Sequence, residues 1–160
     1  VRGWLINIGT PSTAITRILE CGEVNVARLT KWVEDYNSML DSLGECVFMA
    51  WMGLLGSKTI SAAYEYATGV RISQQEFLKS GERIWNLQKL FNLREGASRK
   101  DDHYPKRITT ERTFTSKGDV FEPVSKRKVE MMLDQYYEER GWDDRGFPTE
   151  KKHLELNLGV

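Results

Sequence analysis

The sequence predicts an all-α domain of several helices, with an irregular loop region in its second half. Apolar residues recur every three or four positions over residues 26–43, 77–91 and 129–137, which is the spacing of one helix face. Residues that favour helix N-caps, such as Asn25 and Thr149, stand directly before such runs. The period and the caps together favour helices over strands.

The first half of the chain is predicted to hold one extended segment and four helices. Glycine ends several of these helices because it adopts the left-handed backbone conformation of a helix C-cap without steric cost. In order, the elements are an extended segment over residues 1–10, a short helix from Ser12 or Thr13 to Cys21 that Gly22 ends, a helix from Asn25 to Gly44, a helix over residues 47–55 that is buried on all sides, and a helix from Ser57 or Thr59 to Gly69.

The second half begins with the longest predicted helix, which Ser73 starts and Gly96 ends. Ser73 and Glu76 are predicted to form a capping box, in which each side chain bonds to the other residue's backbone amide. The inward face is predicted to carry Phe77, Ile84, Trp85, Gln88 and Phe91. The later elements are a charged loop over residues 97–107, an irregular connection with one short extended piece over 108–124, a helix over Lys126–Arg140, a turn over 142–148 and a last helix from Thr149 through Leu158.

Composition excludes several broad functions. The chain has 160 residues and balances 23 basic against 23 acidic side chains, so it is not a general nucleic-acid or anionic-membrane binder. Its longest apolar run is far shorter than the about 20 residues that a transmembrane helix needs. Two cysteines, Cys21 and Cys46, favour a reducing compartment such as the cytoplasm. The apolar start at Val1, without an initiator methionine, leads us to expect a piece of a longer polypeptide.

The stretch from Asp41 to Phe48 is the main candidate site. Gly44 is predicted to end one helix, which places Cys46 at a sharp corner before the next. Asp41 lies in the last helical turn, where a carboxylate is unfavourable against the helix dipole, and this position invites a functional explanation. The residues alone leave a second interpretation open, in which Cys46 is a small buried hydrophobe and Asp41 is solvated.

Two further features in and beside the charged loop are candidate sites. His103 is a candidate metal ligand, but no residues with ligand spacing surround it, which favours a solvated histidine. A basic cluster could bind phosphate or an acidic partner, although the interleaved Glu95, Asp101 and Asp102 favour a salt-bridged loop. The cluster consists of Arg94, Arg99, Lys100, Lys106 and Arg107.

Three ordered blocks resemble the C-terminal part of the aldehyde ferredoxin oxidoreductases. They are SQQEFLKSGERIWNLQKLFNLREG at 73–96, RKDDHYPKR at 99–107 and MLDQYYEERGWDDRGFPT at 132–149. The resemblance includes the corner at 41–48. It divides the chain into an unplaced N-terminal remnant, residues 1–24, and a helical C-terminal domain, residues 25–160.

The resemblance implies an enzyme that oxidises an aldehyde to a carboxylic acid and passes electrons to ferredoxin. Family members carry tungsten or molybdenum on two pterins and one [4Fe-4S] cluster. The family motif D-x-x-G-L-C stands here from Asp41 to Cys46, with Glu45 replacing the usual leucine. By resemblance, Asp41 bonds a pterin ring, the Gly44 and Glu45 backbone approaches that pterin, and Cys46 is the fourth cluster ligand.

The family's other three cluster cysteines, a C-x2-C-x3-C run, lie upstream and are not in this chain. A cluster that needs four ligands cannot be held by one, so the chain alone is expected to be inactive and without cofactor. The implied partners are the remaining domains of the same polypeptide, ferredoxin and, through an exposed apolar face, a second copy. Two other hypotheses stay open: a helical interaction module without redox role, and a family member that reduces acids or aromatic thioesters. The resemblance implies an anaerobic, cytoplasmic enzyme.

Overall fold

A computed structural model describes residues 1–20, 23–52 and 55–159, and these residues form a mostly helical domain. The predicted fold class is therefore confirmed. The described elements are α1 Arg2–Asn7, α2 Ser12–Ile18, α3 Val26–Ser42, α4 Val47–Trp51, α5 Ser57–Thr68, α6 Gln74–Arg94, a 3-10 turn Arg99–Asp101, α7 Lys106–Thr110, β1 Thr113–Phe114, β2 Val120–Phe121, α8 Lys126–Arg140 and α9 Glu150–Leu156. No helix among them is both long and apolar enough to cross a membrane.

Side-chain caps start the longer helices where the sequence places them. Asn25 accepts from the Arg28 amide at the start of α3, and Ser73 accepts from the Glu76 amide at the start of α6. Ser125 and Thr149 cap α8 and α9 in the same way. At the start of α6 only the serine half of the capping box forms between described residues, because the Glu76 carboxylate lies 3.4 Å from Arg83.

The prediction of an extended segment over residues 1–10 is wrong, because residues 2–7 form helix α1. Leu5 and Ile8 are fully buried, and their spacing of three residues brings both to one helix face. In so short a window, alternation and helical spacing are hard to tell apart. Helix α2 ends at Ile18, whereas Cys21 and Gly22, its predicted end, lie outside the described residues.

Helix α4 is not buried on all sides, contrary to the prediction. It ends at Trp51, and only its Ala50 is buried. Phe48 is 72% exposed, as is Met52 just beyond the helix end. The apolar side chains on the outer side of α4 are therefore not covered by the described part of this chain.

Helix α6 is rotated relative to its predicted orientation. Its buried positions are Phe77, Gly81, Asn86, Lys89 and Leu93. Phe91, predicted to face inward, is 55% exposed. The ammonium group of Lys89 forms an ion pair with Asp102, and this pairing offsets the cost of burying a charge on the inward face.

The irregular connection predicted over residues 108–124 holds more regular structure than expected. Helix α7 reaches Thr110 and is followed by a two-residue antiparallel pair of β1 and β2. Phe114 and Phe121 on this hairpin are 67% and 58% exposed.

Helix α3 is the central element of the fold, since it packs against both α6 and α8. The main core lies along its C-terminal half and contains Ile8, Tyr36, Met39, Leu40, Ala50, Ile60 and Phe77. The α3–α6 contact is close at Gly81, where a Cβ would overlap the backbone carbonyl of Asp35. Glycine at this position therefore sets how near the two helix axes can come.

A chain of ion pairs links four helices. Arg140 of α8 is fully buried and binds the carboxylates of Glu34 and Asp35 on α3. Lys31 bridges Asp35 to Glu82 of α6, and Glu82 also binds Lys152 of α9. Burial alone would lower the pKa of Arg140, but the Asp35 and Glu34 carboxylates and Tyr136 raise it above its ordinary value. The guanidinium is therefore charged at neutral pH although it is buried.

The close contact at Gly81 predicts opposite effects for two glycine-to-alanine substitutions. Gly81→Ala is expected to lower the free energy of unfolding by about 1–3 kcal/mol, because the backbone of α3 must move to admit a methyl group. Gly3→Ala in α1 has open space around its Cβ and is expected to raise stability by about 0.5–1 kcal/mol. Urea unfolding of both variants measures this, and equal effects would contradict the close packing.

The buried ion pair predicts that Arg140→Met destabilises the protein by about 3–5 kcal/mol, because two carboxylates lose their buried partner. Arg127→Met on the exposed face of the same helix is the control, and its effect is expected to stay within about 0.5 kcal/mol. Chemical denaturation at neutral pH compares the two. A similar small loss in both variants would show that the buried pair is not a structural requirement.

Candidate functional site

The corner between α3 and α4 is a Schellman turn, and it positions every residue of the predicted site. The Gly44 amide donates to the Asp41 carbonyl at 3.1 Å, and the Glu45 amide donates to the Leu40 carbonyl at 3.1 Å. Gly44 has φ +71°, which is the left-handed conformation predicted for it. The turn reverses the chain within a few residues and places Cys46 as the N-cap residue of α4.

The corner is rich in hydrogen-bond acceptors. The amides of Gly44 and Glu45 are used inside the turn, whereas no described residue donates to their carbonyl oxygens. The Asp41 and Glu45 side chains are exposed beside them, at the negative end of the α3 dipole. A Cβ built at Gly44 meets no atom within 4 Å, so the space over this peptide is open. Such a surface suits a ligand that presents several N–H donors.

Cys46 is a free, exposed cysteine. Its exposure rules out the alternative in which Cys46 is a buried hydrophobe. Its backbone carbonyl accepts from the Met49 amide at 3.0 Å, so the first turn of α4 holds the residue in place. The thiol is therefore available to a group outside the described chain.

Three tryptophans fix α4 against the rest of the fold. The ring of Trp51 lies 5.4 Å from that of Trp4 in α1, and Trp4 lies 6.4 Å from Trp32 in α3, measured between centroids. The indole N–H of Trp51 donates to the Asn37 side chain, and that of Trp4 donates to the Trp51 carbonyl. Because these contacts reach both neighbouring helices, the short helix α4 is held firmly although most of it is exposed.

The corner is surrounded by apolar side chains that the described residues leave uncovered. They are Leu43, Phe48, Met49, Trp51 and Met52, with exposed fractions from 36% to 72%. Exposed apolar clusters of this kind are typical of surfaces that another protein segment covers. The acceptor-rich turn and the thiol therefore lie within a region suited to burial.

The residues at the corner fit part of a metal–sulfur site. An exposed thiol can become the thiolate that iron requires, but one thiolate supplies a single ligand of four. Within the described ranges, no three side chains of the histidine, cysteine, aspartate or glutamate types gather as a metal site. Any cluster at this corner would take its other ligands from elsewhere.

The charged loop forms several ion pairs with α8. Arg99 binds Glu130 and Asp134 of α8, and its guanidinium lies over the Tyr137 ring. His103 lies 3.9 Å from Glu130 and is partly exposed. The sequence interpretation as a salt-bridged loop agrees with these contacts.

A cleft away from the corner was not predicted from the sequence. It is a cleft of about 390 Å³ between α3, α6, α8 and the loop over residues 97–104. Its aromatic wall includes Trp85, Tyr136 and Trp142. The Tyr136 hydroxyl donates to Glu34 and accepts from Trp85 and Arg140, and burial is the main cause that raises its pKa. The charged residues Lys89 and Arg140 inside apolar helix patterns are the sequence signal that could have indicated it.

Comparison with known proteins identifies the family of this chain. The sequence model of the family described as "Aldehyde ferredoxin oxidoreductase, domains 2 & 3" matches residues 1–158, which include the whole corner. The chain therefore belongs to the aldehyde ferredoxin oxidoreductase family, as the sequence resemblance predicted. The division of the chain at residue 25 stays a prediction.

Several relatives are named tungsten-containing aldehyde ferredoxin oxidoreductase. Over 128 residues, which are 78% of this chain and 20% of each relative, the chain is 35% identical to the protein of Pyrococcus abyssi and 33% identical to that of Pyrococcus furiosus. The chain thus spans about a fifth of their length. The active site complex BamBC of benzoyl coenzyme A reductase, solved with 1,5-dienoyl-CoA, shares the fold, with a TM-score of 0.69 at 22% identity over 83% of this chain and 19% of that one.

The apolar surroundings of the corner predict that the chain by itself associates with a second copy. The double variant Phe48→Ser and Met52→Ser is expected to be monomeric, since it removes the two most exposed apolar side chains there. Sedimentation velocity over a range of protein concentrations measures the association.

The control for this experiment is Phe114→Ser with Phe121→Ser, which removes two exposed aromatic rings from the hairpin instead. This variant is expected to associate as the unaltered chain does. A chain that stays monomeric, or corner variants that still associate, would contradict the prediction.

Proposed function

We propose that this chain is the C-terminal part of a tungsten- or molybdenum-dependent oxidoreductase that converts aldehydes to carboxylic acids and delivers the electrons to ferredoxin. The observation that carries the proposal is the corner, where the family motif from Asp41 to Cys46 forms an exposed Schellman turn with an accessible thiol. The chain supplies one wall and one ligand of the cofactor site. It is therefore expected to be inactive alone.

In this proposal Asp41 and the turn recognise one edge of a pterin. A carboxylate can accept two N–H bonds at once, and the carbonyls of Gly44 and Glu45 have no described donor. The open space over Gly44 supports the approach of a flat ring to this peptide. When bound, the pterin-held metal supplies the two-electron chemistry. The residues of this chain orient it and cover it.

The second role that we propose is that Cys46 ligates an iron–sulfur cluster. Its position as the N-cap residue of α4 supports this role, because the tryptophan contacts fix α4 and so fix the thiolate. Glu45, in place of the usual leucine, adds a negative charge beside the cluster. That charge favours the oxidised cluster and would lower its reduction potential by an amount on the order of tens of millivolts. The remaining ligands would come from other domains of the polypeptide.

The alternative of a helical interaction module without redox role is less well supported, since the motif residues stand together at the corner. For thioester reduction, the likeness to the benzoyl coenzyme A reductase complex concerns the fold alone. The Pyrococcus proteins named tungsten-containing aldehyde ferredoxin oxidoreductase are 33–35% identical to this chain, and their name supports aldehyde oxidation.

The test uses the full-length protein that carries this domain, purified without oxygen. Iron, acid-labile sulfide, tungsten and molybdenum are measured per chain. We expect about four irons in the unaltered protein and their loss in Cys46→Ser. Cys21→Ser is the matched control and is expected to keep its iron.

Unchanged iron in Cys46→Ser, or an unaltered protein without metal, would overturn the proposal in favour of the interaction module. Cys46→Ser is expected to leave the melting temperature of this chain nearly unchanged, because the side chain is exposed. Iron loss in that variant would then report ligation rather than unfolding.

A further inference from the structure

The hairpin of β1 and β2 exposes apolar side chains on both of its faces. Phe114 lies opposite Val120, and the neighbouring pair is Thr113 and Phe121. Because successive side chains of a strand point to opposite faces, Phe114 and Val120 share one face and Phe121 lies on the other. Their exposed fractions are 67%, 50% and 58%. A hairpin of two strands is only marginally stable in water, so a cover over these side chains would stabilise it.

The chain around the hairpin is strongly basic. Residues 106–128 contain seven basic and three acidic side chains, a net charge of +4 in a chain whose total charge is zero. The Val124 amide donates to the Ile108 carbonyl at 3.0 Å, which holds the start of α8 beside α7. The basic residues of both helices therefore flank the hairpin.

The acidic side chains of this segment are already bonded, whereas most of the basic ones are not. The partners of the acidic residues are Arg107 for Glu111, Arg112 for Glu122 and the Thr115 hydroxyl for Asp119. Five basic side chains are exposed and form no ion pair with any described residue. They are Lys106, Lys117, Lys126, Arg127 and Lys128. We call these five, together with Phe114, Val120 and Phe121, the hairpin surface.

Three of the unpaired charges stand in the first turn of α8, where they are unfavourable. Lys126, Arg127 and Lys128 begin a helix of 15 residues, and the dipole of a helix is positive at this end. The first turn contains no acidic residue that would offset them. An acidic surface placed against this helix end would therefore stabilise both the charges and the helix.

The hairpin surface lies away from the corner. Val129, three residues after Lys126, lines the cleft together with Val26, the first residue of α3. The corner follows the last residue of α3, and the 17 residues of this helix span about 25 Å. The remaining domains of the polypeptide, which share the cofactor at the corner in the proposed function, are needed at that other end of α3.

We propose that the hairpin surface binds a separate protein whose own surface is acidic around an apolar centre. Protein interfaces combine an apolar core with a polar rim, and opposite charges across the rim speed the encounter and fix the orientation. A nucleic acid or an anionic membrane fits less well, because Glu111, Asp119 and Glu122 would face its phosphates. The inference rests on the proposed function only for the place of the remaining domains.

The test reverses the charge of the hairpin surface in the full-length protein and follows a protein that co-purifies with it. Lys126→Glu, Arg127→Glu and Lys128→Glu are combined, and the variant is isolated from the cells that produce it. We expect the unaltered protein to retain an acidic protein, which mass spectrometry identifies, and the triple variant to lose it. With the identified protein purified, the dissociation constant should rise about tenfold or more in the triple variant, and it should also rise with added salt.

The control makes the same change of charge in the first turns of α1, α5 and α9, with Arg2→Glu, Lys58→Glu and Lys151→Glu. These side chains are exposed, and the control is expected to keep the partner. Because acidic residues are favoured in the first turn of a helix, neither triple variant should melt at a lower temperature than the unaltered protein. Lost binding would then not reflect unfolding.

An acidic protein retained equally by both triple variants, or no acidic protein that the hairpin variant loses, would overturn the inference. Binding of the unaltered protein to single-stranded DNA or to phosphatidylserine vesicles that the hairpin variant loses would also overturn it, since the surface would then serve a polyanion. Phe114→Ser with Phe121→Ser should weaken binding of the partner too, because it removes the apolar centre of the contact.

The readout is binding, which needs no metal. Cys46→Ser in the full-length protein should therefore keep the partner even when it loses its iron. A failure of the proposed function and a failure of this inference can thus be told apart.

Discussion

The fold depends on the buried guanidinium of Arg140, which holds α8 against α3 through two carboxylates. A charge without exposure to water is tolerable only when such partners surround it. From Asp35 the ionic contacts continue through Lys31 and Glu82 to α6 and α9. Burial alone would raise the pKa of Glu82, but the charges and hydrogen bonds of Lys31 and Lys152 together lower it below its ordinary value. These contacts fix the frame in which α3 carries the corner at its far end.

Local signals in the sequence predicted the long helices well, because caps and periodicity act within a few residues. Asn25, Ser73 and Thr149 cap the helices that the sequence assigns to them. The orientation of α6 could not be predicted in this way, since its buried face includes Lys89, whose partner Asp102 lies beyond the helix in the loop. Helix α1 was missed for a different reason, since a window of ten residues does not separate alternation from helical spacing.

The candidate site shows the same division between local and distant causes. The left-handed turn at Gly44 was predictable because glycine and the preceding apolar run are adjacent in sequence. The exposure of Phe48 was not, because an apolar pattern indicates that a side chain is suited to burial without saying what buries it. The cleft beside Trp85 joins three helices and a loop, and no single stretch of sequence describes it.

Buried and exposed charges in this domain respond differently to ionic strength. At 0.1 M salt, dissolved ions largely screen interactions between exposed charges that lie more than about 10 Å apart, whereas a buried pair such as Arg140 and Asp35 is screened much less. Asp41 and Glu45 are exposed at the corner and are fully open to screening in this chain. Salt can therefore weaken the attraction of a charged partner to the corner while the helical frame behind it keeps its strength.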